Sequence, residues 1–132
     1  MKIDVVAAII VEHNKVLATQ RANGDFKGQW EFPGGKVETN ETNVNALIRE
    51  IKEELNIDID INGKLCNVNY QYPKFYISME CYICRIKSGE IKLNDHKDYK
   101  WLARNELFDV KWLPADVEVV MKLDEYLSSK EL

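Results

Sequence analysis

The sequence predicts an α/β fold in which a mixed sheet packs between helices, and three observations support this prediction. Residues 5–11 form a continuous apolar, β-prone run, which is typical of a strand covered on both faces. Residues 41–56 and 114–127 carry apolar side chains at helical spacing. Strand-like runs lie on both sides of the first of these helices, an order that is typical of an α/β sandwich.

The other elements follow in chain order. His13 and Asn14 form the turn after the first strand, and residues 22–28 form a polar loop. Tyr72 and Pro73 are expected to close a hairpin. Besides residues 5–11, the predicted strands are residues 15–21, 30–32, 57–61, 64–71, 74–86, 90–93 and 98–102.

Each predicted helix has an apolar stripe that we expect to face the core. In the first helix the stripe comprises Val44, Leu47, Ile48, Ile51 and Leu55. In the last helix it comprises Val117, Val120, Met121 and Leu123 or Leu127.

Length and charge restrict the class of protein. A chain of 132 residues fits a single domain, which we expect to span residues 1–132. The formal net charge of −4 opposes a nucleic-acid-binding surface, which would be basic, but not a small phosphorylated substrate bound through a divalent cation. No apolar run reaches the ~18 residues of a membrane span. We therefore expect a monomer or homodimer whose partners include neither a nucleic-acid polymer nor a membrane.

The cysteines indicate the compartment. Three is an odd number, which argues against a disulfide framework and for a reducing, cytoplasmic environment. Cys81 and Cys84 form a C-x-x-C pattern within a predicted strand, where residues three apart point to opposite faces. We expect buried thiols there rather than metal ligands.

Glu50, Glu53 and Glu54 fall on one face of the first helix. At about 100° per residue, Glu54 lies roughly 40° ahead of Glu50 and Glu53 roughly 60° behind it. Like charges at this spacing repel, and carboxylate oxygens are the ligands that Mg²⁺ and Mn²⁺ prefer. The spacing by itself leaves a solvated acidic face as an equal alternative.

The residues upstream extend this pattern into a motif. The stretch from Gly35 to Ile57 has the form G-x5-E-x7-R-E-I-x-E-E-x-N-I. It resembles the Nudix box, G-x5-E-x7-R-E-U-x-E-E-x-G-U with U aliphatic, at every fixed position but one over 23 residues. The exception is Asn56 in place of glycine, and asparagine also tolerates a left-handed helix C-cap. Residues 30–36 and 113–116 are similar to the MutT-like branch, so the resemblance implies a Nudix-type α/β/α sandwich with a mixed central sheet.

The resemblance also implies a divalent-metal site. Glu53 and Glu54 correspond by position to the principal ligands, Glu50 supports them, and the Gly34 carbonyl corresponds to a backbone ligand. Mg²⁺ is the expected cofactor, with Mn²⁺ as an alternative. Arg49 resembles the residue that orients the carboxylates through charge-assisted hydrogen bonds, and it is expected to act with Glu50 and Glu53 in catalysis.

A catalytic base is expected in the loop before a strand tryptophan. Asp95, six residues before Trp101, corresponds to this position in the MutT-like branch. Asp98 and Glu53 are the alternatives for the base, and a loop-capping role is the alternative for Asp95. His96 is left open as a site residue or a polar loop residue.

Three further residues are expected to contact the substrate. Arg21 resembles a phosphate-contacting arginine of the same branch, with a surface arginine at a strand end as the equal alternative. Phe32 belongs to the segment before the box. Asp116 corresponds to the residue that recognises the base edge, although an acidic residue in a first helical turn is also favoured by the helix dipole. Trp101 and Trp112 are expected in the core.

The implied function is hydrolysis of a nucleoside diphosphate linked to another group. In the MutT-like branch, this is cleavage of a nucleoside triphosphate to a monophosphate and pyrophosphate. We expect a nucleotide-pool-sanitising enzyme that serves DNA repair by acting on 8-oxo-dGTP. A protonated Asp116 suits a guanine edge, whereas an ionised one suits the amino group of cytosine, so CTP or dCTP is the alternative substrate. An ADP-ribose hydrolase and a non-catalytic nucleotide-binding Nudix module are the remaining alternatives.

Overall fold

A computed structural model describes residues 1–130 and shows in them one seven-stranded sheet between two helices. The strands are β1 (Lys2–Glu12), β2 (Lys15–Arg21), β3 (Trp30–Glu31), β4 (Gly34–Lys36), β5 (Asp58–Gln71), β6 (Tyr76–Ser88) and β7 (His96–Ala103). The helices are α1 (Asn43–Leu55) and α2 (Pro114–Lys130), and a 3₁₀ turn lies at Arg104–Glu106.

Strand β1 lies at the centre of the sheet. It runs parallel to β6 and antiparallel to β2 and β4, so the sheet is mixed. Its apolar residues alternate between two cores: Ala7 and Ile9 belong to one, and Val6, Ala8 and Ile10 to the other. The expectation of a strand covered on both faces is confirmed.

The two helices cover opposite faces of the sheet. The core residues contributed by α1 are Ala46, Leu47, Ile51 and Leu55. Those contributed by α2, on the other face, are Ala115, Val119, Val120 and Leu123. The predicted α/β/α sandwich is confirmed, and the C-terminal half of α1 and the N-terminal end of α2 line a common cleft.

Local signals explain where α1 begins and ends. The Thr42 hydroxyl oxygen accepts a hydrogen bond from the Asn45 amide at 3.1 Å and caps the N-terminus. Asn56 ends the helix in the left-handed conformation, with φ 60°, as expected for a C-cap. Glu41, the first residue of the predicted helix, lies before the cap.

Four predicted core residues are wrong. Val44 and Ile48 of α1 are exposed, as are Val117 and Met121 of α2. A helix lying on one face of a sheet buries only a narrow arc, and in α1 that arc includes Ala46, which is too weakly apolar to mark it.

The strand boundaries also differ from the prediction. Residues 57–61 and 64–71 form the single strand β5, which passes Gly63 with a register shift. Residues 90–93 form no strand, because the Lys92 amide donates to the Leu55 carbonyl at 2.9 Å and so binds the end of α1. Strand β4 was not predicted, since Pro33 and the following glycines indicated a stop. The hairpin at Tyr72 is confirmed.

The cysteines lie where the strand periodicity predicts. Cys81 belongs to the core beneath α2 with Cys66, whereas Cys84 belongs to the core beneath α1. All three are free and buried, and burial raises the pKa of the Cys84 thiol to about 12. Trp112 is buried and Trp101 is partly buried against the core, as expected. None of the helices within residues 1–130 has the length and apolarity that a membrane crossing requires.

Candidate active site

A cleft of about 1010 Å³ is lined by residues from β1, β4, α1, the 72–75 hairpin and the start of α2. Every predicted site residue except Arg49 lines it: Arg21, Phe32, Gly34, Glu50, Glu53, Glu54, Asp95 and Asp116. The fold therefore brings together residues from five separate parts of the sequence.

Close approach of neighbouring groups explains both glycines of β4. Gly34 pairs with Ala7 of β1, and a Cβ atom at Gly34 would overlap the Val6 carbonyl oxygen. A Cβ atom at Gly35 would lie 2.7 Å from Glu50 Oε1. Only glycine fits at Gly34, where β1 and β4 approach closely, and a side chain at Gly35 would displace the Glu50 carboxylate.

Arg49 connects the acidic residues of the motif. Its Nε and Nη2 donate to the two carboxylate oxygens of Glu41 at 2.7 and 2.9 Å. Its Nη1 donates to Glu50 Oε1 at 2.9 Å and to Glu53 Oε2 at 3.3 Å. The hydrogen bonds from Arg49 lower the pKa of Glu41 to about 2, and those to Glu41 raise the pKa of Arg49. Arg49 thus lies where it can order the carboxylates.

The carboxylates of Glu50, Glu53 and Glu54, here called the acidic cluster, differ in burial. The side chains of Glu54 and Glu50 are 12% and 17% exposed, whereas that of Glu53 is 59% exposed. Burial, and then the adjacent Glu50, raises the pKa of Glu54 to about 10. A hydrogen bond from the Gly34 amide to Glu54 opposes this shift. Gly34 therefore contacts the cluster through its amide, whereas the sequence predicts its carbonyl as a metal ligand.

The acidic cluster fits a divalent cation with an incomplete protein shell. Mg²⁺ prefers carboxylate oxygens and usually retains several waters. Within residues 1–130, no three acidic, histidine or cysteine side chains already enclose a common point. The reason is local: Arg49 holds Glu50 and Glu53, and Glu54 hydrogen-bonds to Glu50. The donors therefore suit an open site completed by water and substrate oxygens rather than a closed cage.

Asp95 reaches the cleft because the segment before it is bound to the end of α1. The Asn94 amide donates to the Glu54 carbonyl at 3.1 Å. Asp95 itself is exposed and lines the same cleft as Glu53 and Glu54. The alternative base Asp98 is not among the cleft residues and accepts a hydrogen bond from the Tyr99 amide at 2.8 Å.

Glu31 is a site residue that the sequence analysis missed, and His96 is one that it left open. The largely buried His96 places Nε2 3.1 Å from Glu31 Oε2 and 3.8 Å from Glu54 Oε1. Arg21 Nη1 donates to Glu31 Oε1 at 3.2 Å, so Glu31 joins the predicted phosphate contact to the acidic cluster. The sequence signal for Glu31 was its place between Trp30 and Phe32 in the MutT-like segment. The pairing of His96 with Arg21 across β7 and β2 has no such signal.

Asp116 lines the cleft from the start of α2. It is 4% exposed, and its Oδ1 accepts a hydrogen bond from the Phe32 amide at 3.2 Å. Burial, and then the charge of Glu31, raises the pKa of Asp116 to about 8. Phe32 stacks on Trp112 at 4.6 Å between ring centroids, which fixes the amide that contacts Asp116. The Phe32 ring is buried, so its predicted contact with substrate is confined to the part that lines the cleft.

Comparison with known proteins agrees with this geometry. The NUDIX domain family matches residues 1–125. The chain is 33% identical to the CTP pyrophosphohydrolase of Escherichia coli over 119 residues, which cover 89% of this chain and 88% of that protein. It is 35% identical to the putative 8-oxo-dGTP diphosphatase 2 of Mycobacterium tuberculosis over 126 residues, which cover 85% and 81% of the two chains.

A solved structure extends the agreement to the fold. The solution structure of the E. coli ORF135 protein superposes with a TM-score of 0.85 at 30% identity, covering 97% of this chain and 92% of that one. Family enzymes act on small-molecule nucleotides and generally use a divalent metal. The chain therefore belongs to the Nudix family, as a pyrophosphohydrolase of the MutT-like branch.

Proposed function

We propose that the chain hydrolyses nucleoside triphosphates to monophosphates and pyrophosphate with Mg²⁺, and that 8-oxo-dGTP is its preferred substrate. One observation carries the proposal: a single cleft contains the acidic cluster and, apart from it, the buried carboxyl group of Asp116. The first suits a cation bound to phosphates, and the second suits recognition of a base.

The acidic cluster, with the Gly34 carbonyl, would hold the cation. When bound, the cation neutralises charge on the phosphate oxygens and lowers the pKa of the attacking water. Arg49 keeps Glu50 and Glu53 oriented through the hydrogen bonds described above. Asp95 accepts the proton from the attacking water, because its carboxyl group is exposed and lines the same cleft as Glu53.

Arg21 supports the phosphates. Its Nη1 donates to Glu31, but its buried Nε has no hydrogen-bond partner within residues 1–130. A buried guanidinium N–H without a partner is costly, so a phosphate oxygen in the cleft is a natural acceptor for it.

The protonation of Asp116 favours a purine. With a pKa raised to about 8, this carboxyl group is mostly protonated at neutral pH, and the Phe32 amide occupies one of its oxygens. The remaining oxygen can donate its hydrogen to an acceptor on a guanine edge. Sanitising of the nucleotide pool, in the service of DNA repair, would follow from this preference for 8-oxo-dGTP.

A pyrimidine triphosphate is the second candidate. The relative named CTP pyrophosphohydrolase is 33% identical, so substrate preference at this level of similarity differs between related chains. In this alternative, Asp116 ionises on binding and accepts a hydrogen bond from the cytosine amino group.

Product analysis with Mg²⁺ tests the proposal on a panel of 8-oxo-dGTP, dGTP, CTP, dCTP and ADP-ribose. We expect monophosphate and pyrophosphate, with the highest kcat/KM for 8-oxo-dGTP. A higher value for CTP or dCTP would select the second candidate. Cleavage of ADP-ribose alone would move the protein to another Nudix activity. Absence of turnover by folded, Mg²⁺-binding protein would favour a nucleotide-binding module.

A further inference from the structure

The last carbonyl groups of a helix have no partner within the helix, and in α1 a distant segment supplies the partners. The Asn94 side chain donates to the Glu53 carbonyl, and the Asn94 amide donates to the Glu54 carbonyl at 3.1 Å. The Lys92 amide donates to the Leu55 carbonyl at 2.9 Å. Three consecutive carbonyls are thus bound by residues 92–94, and two of them belong to members of the acidic cluster.

Asn56 completes this arrangement from the other direction. Its amide donates to the Lys52 carbonyl at 3.1 Å, while its side-chain Nδ2 donates to the Lys92 carbonyl at 2.7 Å. Gly89 passes close by: a Cβ atom there would lie 3.1 Å from the Asn56 carbonyl oxygen, and its φ is +92°. The glycine of the Nudix box would adopt the same φ as Asn56, but it has no side chain to bind Lys92.

The segment is fixed on its other side as well. Strand β7 begins at His96, which pairs with Arg21 and contacts Glu31 through Nε2 at 3.1 Å. Asp95 is the single residue between Asn94 and His96. Its backbone is therefore held between the end of α1 and the first residue of the sheet strand.

We infer that Asn56 and Asn94 are positioning residues, which hold Asp95 at the acidic cluster through the hydrogen bonds of Asn56, Lys92 and Asn94 to the end of α1. We call this set the α1 clasp. The inference rests on the proposed function, in which Asp95 accepts a proton from the attacking water. Proton transfer depends steeply on distance, and displacement of a catalytic group by about 1 Å can reduce the rate roughly 10²-fold. The asparagine at the box glycine position thus has a role that the motif does not include.

The test compares two asparagine-to-glycine substitutions at left-handed positions. Asn56→Gly preserves the backbone conformation and removes the hydrogen bond to Lys92. Asn14→Gly, in the β1–β2 turn with φ 62°, is the matched control outside the cleft. For Asn56→Gly we expect faster hydrogen exchange at the amides of Lys92 and Asn94, with thermal stability close to that of the control. We also expect kcat to fall about tenfold, with KM and the Mg²⁺ dependence unchanged.

A double-mutant cycle separates positioning from a general structural effect. If Asn56 acts through Asp95, Asn56→Gly causes no further loss of kcat in the Asp95→Asn background. A fully additive loss, or full activity of Asp95→Asn alone, would overturn the inference. Asn94→Ala should behave like Asn56→Gly in the same cycle.

Hydrogen exchange needs no substrate, so it distinguishes failure of the clasp from failure of the proposed function. Unchanged exchange at Lys92 and Asn94 in Asn56→Gly, with activity present in the wild type, would overturn the clasp and leave the proposed function in place. Accelerated exchange together with no turnover of any nucleotide by the wild type would overturn the proposed function, and with it the role of the clasp in catalysis.

Discussion

Two carboxyl groups of low exposure line the cleft, the largely buried Glu54 on α1 and the buried Asp116 on α2, and burial raises the pKa of both, to about 10 and about 8. Their neighbours differ. Glu54 hydrogen-bonds to a second carboxylate, Glu50, whereas Asp116 accepts a hydrogen bond from the uncharged amide of Phe32. The comparison teaches that burial alone does not assign a role. A carboxyl group that is hydrogen-bonded to another carboxyl group favours a cation, and one that is hydrogen-bonded to an uncharged amide favours a hydrogen-bonded ligand.

Neutralising the acidic cluster should have the largest effect. We expect Glu54→Gln and Glu53→Gln each to reduce kcat roughly 10²–10³-fold, because each removes a negative oxygen donor to the cation. The fold should survive, since glutamine resembles the protonated carboxyl group that burial already favours at Glu54. Steady-state kinetics and the Mg²⁺-induced rise in the thermal unfolding midpoint measure the two effects. Near-normal turnover in both variants would contradict the metal assignment.

Arg49→Lys tests whether orientation of the cluster matters as well as its charge. Lysine keeps the positive charge but cannot donate to both oxygens of Glu41 while holding Glu50. We expect a loss of roughly 10–100-fold in kcat or Mg²⁺ affinity, as for other residues that orient metal ligands. Arg104→Lys is the control, because Arg104 forms a comparable pair with Asp124 at 2.9 Å outside the cleft. Equal activity of the two variants would leave Arg49 with a structural role only.

The parts of the site that lie on one element could be predicted from the sequence. Glu50, Glu53 and Glu54 belong to one helix, so their spacing placed them on one face, and the structure places all three on the cleft. The burial of β1 on both faces and the turn at Tyr72 were predictable for the same reason: each depends on residues close together in the chain.

Features that depend on distant pairing were not predictable. Glu31 and His96 lie 65 residues apart and meet because β7 pairs with β2. Residues 90–93 have the composition of a strand, but their amides and carbonyls bind the end of α1 and Asn56 instead. Strand β4 consists of two glycines and a lysine. It pairs with β1 because Gly34 has no side chain to overlap the β1 backbone.

Asp116→Asn tests whether Asp116 recognises the base, and the measurement is substrate preference. Below about pH 8 the wild-type carboxyl group is protonated and can donate to a purine, and above this pH it is ionised and can only accept. The ratio of kcat/KM for 8-oxo-dGTP to that for CTP should therefore fall about tenfold between about pH 7 and pH 9. The asparagine variant, which keeps a donor at every pH, should lose this dependence. Asp124→Asn on the same helix is the control, and a pH-independent ratio in the wild type would contradict the assignment.

Thermal stability in the absence of metal gives the smallest effect and separates the two acids. Both folded-state pKa values lie above the unfolded values of about 4, so the folded protein binds more protons between these limits. The stability from these groups is complete below about pH 4 and is lost as pH rises through the folded pKa values. The unfolding midpoint should thus fall steadily from about pH 6 to pH 9.

The same titration with Mg²⁺ assigns this slope to the two carboxyl groups. In the proposed function Mg²⁺ binds the ionised form of Glu54, so saturating metal should remove the share of the slope that comes from Glu54. The share of the slope that comes from Asp116 should remain. The hydrogen-bond partner of Asp116 is the Phe32 amide, so a cation at the acidic cluster does not replace the proton of Asp116. Asp116→Asn should flatten what is left. A midpoint that stays level or rises with pH in the metal-free protein would show that neither acid retains its proton, and the distinction between them would then rest on hydrogen bonding alone.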